Sequence, residues 1–244
     1  MPENYENTAG LVNFVPCHTR HPEPKSYLGL DLGQRHDHSA LAALELTWAP
    51  RGRCQLTYAD RYQPELAIRS LTRFPLGTDY DELYQLVSAR LALHHQAPRL
   101  QTMELVVDAG GPGPPMVDRL RKTLSANVAV RPVIITGGKG QNTLTGGYIG
   151  IPRRSLITTL LLTMAAHSLT CEEGLPNWDL FEEELVELRG DTTHPGHSKA
   201  HDDLVMAVAL ALSAAVRDTP QLLPASEKKE REKVRFGFID KPLL

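Results

Sequence analysis

The stretch from residue 27 to residue 40 is Tyr27-Leu28-Gly29-Leu30-Asp31-Leu32-Gly33-Gln34-Arg35-His36-Asp37-His38-Ser39-Ala40. It begins with a compact apolar run of the kind that forms a buried strand, and the run ends at an aspartate and a glycine. Acidic side chains at a strand end can lie above the edge of a sheet. The stretch therefore predicts a buried strand at residues 27–32, with Asp31 at its end and Asp37 shortly after it.

Three further aspartates occupy comparable positions far along the chain. Asp108 ends the apolar run Leu-Val-Val, and Asp202 and Asp203 precede an apolar, helix-like segment. Carboxylates that converge in space repel one another and resist joint ionisation. A divalent cation removes that repulsion, and hard oxygen ligands are what Mg²⁺ or Mn²⁺ prefers. The pattern predicts a metal-dependent enzyme that cuts phosphodiester bonds.

Composition sets the class of protein. The 244 residues are 41% hydrophobic and 23% charged, which is ordinary for a soluble globular chain with one large domain. The net charge of -3 does not indicate a generally basic nucleic-acid binder, although it says little about a local groove. The three cysteines are far apart and form no Cys-x-x-Cys metal site. No signal peptide or membrane span is expected, so a cytoplasmic location is predicted.

The organisation of the chain predicts one folded unit between two less regular ends. We expect an extended arm at residues 1–25, a folded domain at 26–218 and a charged tail at 219–244. Strands are predicted at 27–32, 41–47, 55–62, 104–108 and 128–135, with a turn at 49–52 and a loop at 136–150. Helices are predicted at 80–94, 116–124, 151–167, 180–188 and 200–216. Antiparallel strands followed by alternating helices and strands indicate an α/β chain with a ribonuclease H-like mixed sheet, in which parallel strands follow three antiparallel ones and helices flank the sheet.

The motifs, taken together, resemble the C-terminal nuclease domain of the large terminase subunit of tailed bacteriophages. They are similar, more distantly, to four-way junction resolvases and ribonuclease H. The resemblance spans about residues 27–216. Its five segments, in order, are Gly-Leu-Asp31-Leu-Gly with Asp37-His-Ser-Ala, Val-Val-Asp108-Ala-Gly-Gly-Pro-Gly, Ile-Pro-Arg-Arg-Ser-Leu, Leu-Phe-Glu-Glu-Glu-Leu, and His201-Asp-Asp203-Leu-Val-Met-Ala.

The resemblance implies a metal-dependent endonuclease that cuts concatemeric DNA during genome packaging. It implies that Asp31, Asp108 and Asp203 are the catalytic metal ligands, with Asp37 and Asp202 as further candidates. Such a site is expected to use two Mg²⁺ or Mn²⁺ ions about 4 Å apart that share Asp31. One ion would activate a water molecule, and the other would stabilise the leaving 3′ oxygen, so no protein nucleophile is needed.

Double-stranded DNA is the partner that the resemblance implies, with no membrane. Large terminases carry an ATPase motor before the nuclease, but this sequence has no Gly-x-x-x-x-Gly-Lys-Ser/Thr phosphate loop. We therefore expect a separate terminase ATPase as a partner, with the small terminase subunit and the portal as further partners. An excised domain, a split subunit and a stand-alone nuclease all remain open.

Basic residues near the glycine-rich loop are candidates for contact with the DNA backbone. Lys139, Arg153 and Arg154 border this loop, and contacts of Lys and Arg with phosphates do not depend on base sequence. His201 is a candidate to orient an aspartate or to approach a phosphate. A zinc site at His194, His197 and His201 is the weaker interpretation, because no cysteine lies nearby.

Two other function classes remain open. An actin-like or sugar-kinase-like nucleotide-binding protein would also place an aspartate on its first strand, and its second phosphate loop is similar to the segment after Asp108. Such proteins need two domains of this kind and an adenosine site. The other alternative is a non-catalytic DNA-binding packaging subunit. Each aspartate, taken alone, could also be a turn or helix-capping residue.

Overall fold

Eight strands form one mixed sheet in the computed structural model of the chain, which describes residues 23–33, 37–53, 58–95, 102–111, 113–124, 127–138, 140–191 and 202–223. The strands are β1 (Lys25–Asp31), β2 (Ala40–Arg53), β3 (Asp60–Arg73), β4 (Thr102–Asp108), β5 (Val128–Thr136), β6 (Asn142–Thr143), β7 (Ile149–Pro152) and β8 (Leu169–Cys171). The helices are α1 (Tyr80–His95), α2 (Gly113–Thr123), α3 (Arg153–Ala165), α4 (Trp178–Asp191) and α5 (Asp203–Asp218). The spatial order of the strands is β6-β7-β5-β4-β1-β2-β3-β8.

The strand directions confirm the predicted ribonuclease H-like arrangement. β1, β2 and β3 pair antiparallel in sequence order, and β4 then pairs parallel with β1 on its other side. β5 and β7 extend the sheet in the same parallel direction. The carboxyl ends of β1, β4, β5 and β7 therefore share one edge of the sheet.

Helices cover both faces of the sheet, as the continuous runs of buried residues in β1, β2 and β4 require. One core cluster joins β-strand side chains to α1 and α2. The other cluster lies on the opposite face and joins the sheet to α3, α4 and α5. None of the described helices is long and apolar enough to cross a lipid bilayer.

Helix α5 is the central helix of its layer. Thirteen of its sixteen residues are buried, and its backbone at Ala207 and Ala211 lies against Gly29 of β1. Its last residue, Asp218, accepts hydrogen bonds from Lys25 and, at 3.0 Å, from the Tyr27 hydroxyl near the start of β1. The neighbouring Arg217 donates two hydrogen bonds to the buried carboxylate of Glu104. These bonds hold the C-terminal end of α5, so its N-terminal end lies near the carboxyl end of β1.

The predicted turn at residues 49–52 is wrong, because β2 runs on to Arg53. The predicted strand at 55–62 overlaps β3 at residues 60–62 only, and residues 55–57 lie outside the described residues. Pro50 pairs with Tyr62 inside a long hairpin, and the register shifts between Pro50 and Arg53. Gly52 has a φ of 84°, so the proline and glycine mark a β-bulge rather than the end of the strand. β3 extends to Arg73 because apolar and polar residues alternate along it despite Pro64.

The segment predicted as a loop at residues 136–150 contains regular structure. It forms the two-residue strand β6, a single 3-10 turn at Thr145–Gly147 and the start of β7. Ile151 and Pro152 belong to β7, and α3 begins one residue later, so the predicted helix start was two residues early. The short edge strand β8 was not predicted. Leu222 and Leu223, after α5, are buried in the core.

Candidate functional site

The ends of β1 and β4 bring two aspartates together. Leu30 lies opposite Val107 in the parallel pair, so the next residue of each strand, Asp31 and Asp108, extends the same row. Neighbouring strands are about 4.8 Å apart, and the pleat directs both residues away from the face that buries Leu30 and Val107. Both aspartates therefore belong to the face on which α5 packs.

The row of paired residues that contains Asp108 and Asp31 continues across the antiparallel strands to an arginine. Ala40 of β2 pairs with Asp31 on one side and with Arg73, the last residue of β3, on the other. Ala40 is fully buried and has a small side chain, so it leaves space above the row. Arg73 can therefore reach toward the carboxylates from the side opposite Asp108.

The N-terminal end of α5 supplies the other two carboxylates. Asp202 precedes the helix and Asp203 is its first residue, and the antiparallel course of α5 along β1 brings both toward Asp31. Asp203 is 6% exposed, which is unusual for a charged residue in the first turn of a helix. The side chain of the N-cap residue Asp202 makes no capping hydrogen bond. Helix capping therefore does not explain the two acidic residues at this position.

The electrostatics of Asp31 show that these carboxylates act on one another. Burial is the largest effect and raises the pKa of Asp31 well above its ordinary value of 3.8. The negative charges of Asp108, Asp203 and Asp202 raise this pKa further, in that order of size. The Arg153 guanidinium lowers it in part. Asp31 is thus the residue on which the charges of the whole group converge.

The conformation of Asp108 follows from its position at a strand end. Burial raises the pKa of its carboxyl above the ordinary value, while backbone N–H groups of Gly110 and Ile135 lower it by hydrogen bonding. The Gly110 N–H donates to Oδ1 of Asp108 at 2.9 Å. This bond closes a tight turn after β4 and orients the carboxylate at the edge of the sheet.

Asp203 lies in contact with a buried pair of opposite charges. Arg73 donates from Nη2 to Oδ2 of Asp203 at 3.0 Å, and its Nη1 is 3.9 Å from Oε1 of Glu184. Glu184 projects from α4 and accepts a hydrogen bond at 3.0 Å from the backbone N–H of Val205. Burial is the main cause that raises the pKa of Glu184 to about 7, and the Asp203 charge adds to it.

Arg153 lies at the opposite side of the group, at the first position of α3. Its Nη2 donates to Oδ2 of Asp202, and its side chain is 45% exposed. Arg154 follows it and is exposed. No acidic residue occupies the first turn of α3, so two arginines lie at the positive end of its helix dipole.

The structure thus brings four of the predicted residues together, namely Asp31, Asp108, Asp202 and Asp203, with Arg153 beside them. Asp37 lies on an exposed bend between β1 and β2, and its predicted metal contact stays a prediction. Lys139 and His201 lie outside the described residues, as do His194 and His197. The assignment of roles to all of these residues also stays a prediction.

Sequence reasoning missed two members of the site, Glu184 and Arg73. Glu184 belongs to a run of three glutamates, and only Glu184 follows the i, i+3, i+4 spacing of the buried residues Phe181 and Leu185. That helical spacing was a signal that could have identified it. Arg73 gave no comparable signal, because β3 was predicted to end eleven residues earlier.

The carboxylates are grouped but do not form a ready-made chelating cluster. In the described part of the chain, no three His, Cys, Asp or Glu side chains are arranged to hold a metal ion. Asp203 and Asp202 instead face guanidinium groups, and Asp108 accepts the Gly110 N–H. The donor chemistry nonetheless fits a divalent cation, since carboxylate oxygens are the preferred ligands of Mg²⁺ and the ionisation of Asp31 is disfavoured without added positive charge.

Comparison with known proteins gives structural likeness only. No protein-family model matches the sequence, and no curated protein matches it either. The human cytomegalovirus terminase nuclease domain in its Mn-soaked form superimposes with a TM-score of 0.50 and 13% identity, over 81% of this chain and 84% of that one. The nuclease domain of the bacteriophage SPP1 large terminase with bound Mn gives 0.39 and 10%, over 82% and 99%. The fowlpox virus Holliday junction resolvase gives 0.38 and 12%, over 80% and 98%.

The cytomegalovirus likeness agrees with the fold that the sequence predicted. At 13% identity the likeness shows a fold shared with a terminase nuclease domain. Function has to be argued from the residues of the site.

Proposed function

We propose that the chain is a divalent-cation-dependent endonuclease of the terminase type that hydrolyses double-stranded DNA. The observation that carries this proposal is the group of four carboxylates at one edge of the sheet, in which the charges of three act on Asp31. The shared fold with a terminase nuclease domain supports it. The Mn present in that neighbour, together with the oxygen-only donor set here, supports Mg²⁺ or Mn²⁺ as the cofactor.

The four aspartates would hold the cation. Asp31 and Asp108 contribute from fixed strand ends, and Asp203 contributes from the first turn of α5, which is buried against the sheet. A bound divalent cation supplies positive charge that lowers the pKa of a coordinated water and stabilises the charge that develops at phosphorus. Because these carboxylates belong to a packed scaffold, a cation that displaced the guanidinium partners of Asp202 and Asp203 would be held in a fixed position for the scissile phosphate.

Arg153 and Arg154 would guide the DNA backbone toward the acidic group. A purely acidic site repels a polyanion, so cationic groups at its rim are needed to attract phosphates. Both arginines lie at the N-terminal end of α3 on the same edge of the sheet as Asp31 and Asp108, and both are exposed. Lys139 is proposed to add a further phosphate contact. Such contacts do not depend on base sequence, which suits cleavage of varied sites.

Plasmid cleavage in Mn²⁺ tests the proposal, with Asp31→Asn and Asp203→Asn compared with the unmodified chain. We expect the unmodified chain to nick and then linearise the plasmid, and each variant to lose nearly all of this activity. Asp179→Asn, an exposed aspartate on α4, is the matched control and should cut normally. Undiminished cutting by either site variant would remove that residue from the catalytic group.

The two other function classes predict different results in the same assays. A nucleotide-binding protein would bind ATP in calorimetry and leave the plasmid intact. A non-catalytic packaging subunit would bind DNA equally well without metal and would not nick it in Mn²⁺. Cutting of concatemers during packaging, and association with a separate ATPase, small subunit and portal, are parts of the proposal that need a reconstituted packaging reaction.

A further inference from the structure

Arg73, a buried arginine in the site, lies between two carboxylates. Not all of its N–H donors are hydrogen-bonded, and only one of the two carboxylates accepts a hydrogen bond from it. Arg73 is hydrogen-bonded to Asp203 at 3.0 Å and lies 3.9 Å from Oε1 of Glu184, beyond hydrogen-bond reach. The three side chains are 15%, 8% and 4% exposed. Among the described residues, neither Nε of Arg73 nor Oε1 of Glu184 has a hydrogen-bond partner.

Buried polar atoms without partners are rare in folded proteins and call for a physical explanation. Here the Arg73 guanidinium and the unpaired Oε1 of Glu184 would form a hydrogen bond if they moved closer by less than an ångström. A small rotation of the Arg73 side chain would form the missing bond to Glu184, but Asp203 now holds the guanidinium in place. A second arrangement, with Arg73 hydrogen-bonded to Glu184, would therefore need only a small movement from the observed one.

Glu184 cannot easily move to meet Arg73. Its Oε2 accepts the Val205 N–H at 3.0 Å, and its carboxylate also accepts a hydrogen bond from the Leu204 N–H. These are orphan donors in the first turn of α5, and the N-cap residue does not satisfy them with its own side chain. Glu184 of α4 thus caps α5 from a neighbouring helix. Arg73, which carries a long flexible stem, is the member of the cluster that can change partner.

We propose that Arg73 is an internal counter-ion that Asp203 exchanges for a divalent cation, and that Glu184 receives Arg73 when the exchange occurs. The inference rests on the proposed function, because it takes the carboxylate group to be a cation site. Without the cation, Arg73 neutralises Asp203. When a cation takes Asp203, the guanidinium turns to Glu184, so no charge is left buried without a partner.

The proposal predicts opposite effects on cation affinity for substitutions of Arg73 and of Glu184. Arg73→Gln removes the competing cation, so Mn²⁺ should bind roughly tenfold more tightly, the scale of one charge-assisted hydrogen bond. In Glu184→Gln the amide oxygen is needed by the Val205 N–H, so the amide NH₂ faces Arg73 and cannot receive it. Arg73 then stays on Asp203, and Mn²⁺ should bind roughly tenfold more weakly.

The test is a Mn²⁺ titration followed by electron paramagnetic resonance, with the full chain and four variants. The double variant Arg73→Gln/Glu184→Gln should bind Mn²⁺ within about twofold of Arg73→Gln, since Glu184 acts through Arg73. Arg69→Gln removes the same charge from an exposed position on β3, where Arg69 pairs with Glu45, and should leave the affinity unchanged. Two results would overturn the exchange and indicate a general charge effect. One is a gain in Mn²⁺ affinity in Arg69→Gln equal to that in Arg73→Gln. The other is a roughly tenfold loss of Mn²⁺ affinity when Glu184→Gln is added to Arg73→Gln.

A structure of the unmodified chain with Mn²⁺ provides a second measurement that does not depend on the variants folding. The Arg73 to Glu184 distance should shorten from 3.9 Å to hydrogen-bond length, and the 3.0 Å contact with Asp203 should be lost. An Arg73 that remains on Asp203 beside a bound ion would contradict the inference alone. A chain that binds no Mn²⁺ at millimolar concentration, or an Asp31→Asn variant that binds it equally well, would instead contradict the proposed function.

Discussion

Gly29 of β1 lies so close to Ala207 of α5 that a Cβ atom added to Gly29 would be 1.9 Å from the Ala207 carbonyl oxygen. The same atom would be 2.7 Å from the backbone nitrogen of Ala211. Both neighbours are backbone atoms, so no side-chain rotation can relieve the contact. Helix α5 therefore rests directly on β1, and this close approach determines where Asp203 lies relative to Asp31.

Gly29→Ala should destabilise the fold and displace the start of α5. The helix would have to move away from β1, so we expect a loss of about 3 kcal/mol or more in the free energy of unfolding. For a chain of this length that loss corresponds to a fall in melting temperature of roughly 10 °C. Gly137→Ala is the matched control, since a Cβ there meets no atom within 4 Å. Equal melting temperatures for the two variants would show that α5 can lie farther from β1 than the structure places it.

Asp31→Asn should raise the melting temperature of the metal-free protein. The pKa of Asp31 is raised in the folded state, so its ionised form opposes folding at neutral pH, and this opposition disappears as the pH falls through the folded pKa. The neutral amide removes it at all pH values. The same variant should lose most of the rise in melting temperature that Mg²⁺ or Mn²⁺ gives the unmodified chain.

Asp37→Asn serves as the control for this experiment in the absence of metal. Asp37 is exposed, so its substitution should leave the metal-free melting temperature unchanged. A metal-free Asp31→Asn variant that melts below the unmodified chain would mean that the carboxylate of Asp31 stabilises the fold by a contact rather than opposing it.

The stability of the chain relative to Glu184→Gln should depend on pH between about 4.5 and 7. Burial raises the pKa of Glu184 from its ordinary value of 4.5 to about 7, so the folded state holds a proton that the unfolded state has released in this range. Stability from this group is therefore greatest below pH 4.5 and declines as the pH rises toward 7. Glutamine does not titrate, so the variant should gain stability relative to the unmodified chain as the pH rises.

The change in the free energy of unfolding that this titration can cause is at most about 3 kcal/mol, because each unit of pKa corresponds to about 1.4 kcal/mol. Chemical denaturation of both proteins from pH 4.5 to 8 measures it. Parallel stability curves for the two proteins would show that Glu184 does not titrate in this range.

Arg153→Gln/Arg154→Gln should weaken DNA binding and reduce its dependence on salt. Each phosphate contact contributes about 0.9 to the slope of log affinity against log salt concentration, so the slope should become shallower by about 2. Binding is measured in Ca²⁺ by fluorescence anisotropy over a range of salt concentrations. Arg51→Gln/Arg53→Gln removes the same charge from exposed positions at the far end of the β2–β3 hairpin. An equal loss of DNA affinity in both double variants would indicate general electrostatic attraction, without specific phosphate contacts at the start of α3.

The directions of the first five strands, and the placement of three candidate residues at the ends of elements, could be predicted because the signals are local. Asp31 and Asp108 each end a short run of buried apolar residues, and parallel strands place such ends at one edge. Asp203 begins a helix that is apolar on all sides, which marks a helix of the protein core. These three features follow from neighbouring residues in the sequence.

The course of the β2–β3 hairpin could not be predicted in the same way. Pro50 and Gly52 carry the composition of a turn, yet they form a bulge because β3 pairs with β2 on both sides of them. The contact of Arg73 with Asp203 joins residues 130 positions apart in sequence. Such a contact depends on how α5 and β3 pack in space, and no short segment of sequence contains that information.

Anomalous diffraction from Mn²⁺-soaked crystals tests the central claim most directly. We predict strong Mn peaks at the carboxyl ends of β1 and β4, with carboxylate oxygens of Asp31 and Asp108 among the direct ligands and Asp203 as a third. Peaks that avoid Asp31, or no peak at this edge of the sheet in crystals that bind Mn²⁺ elsewhere, would contradict the claim that these aspartates form a cation site.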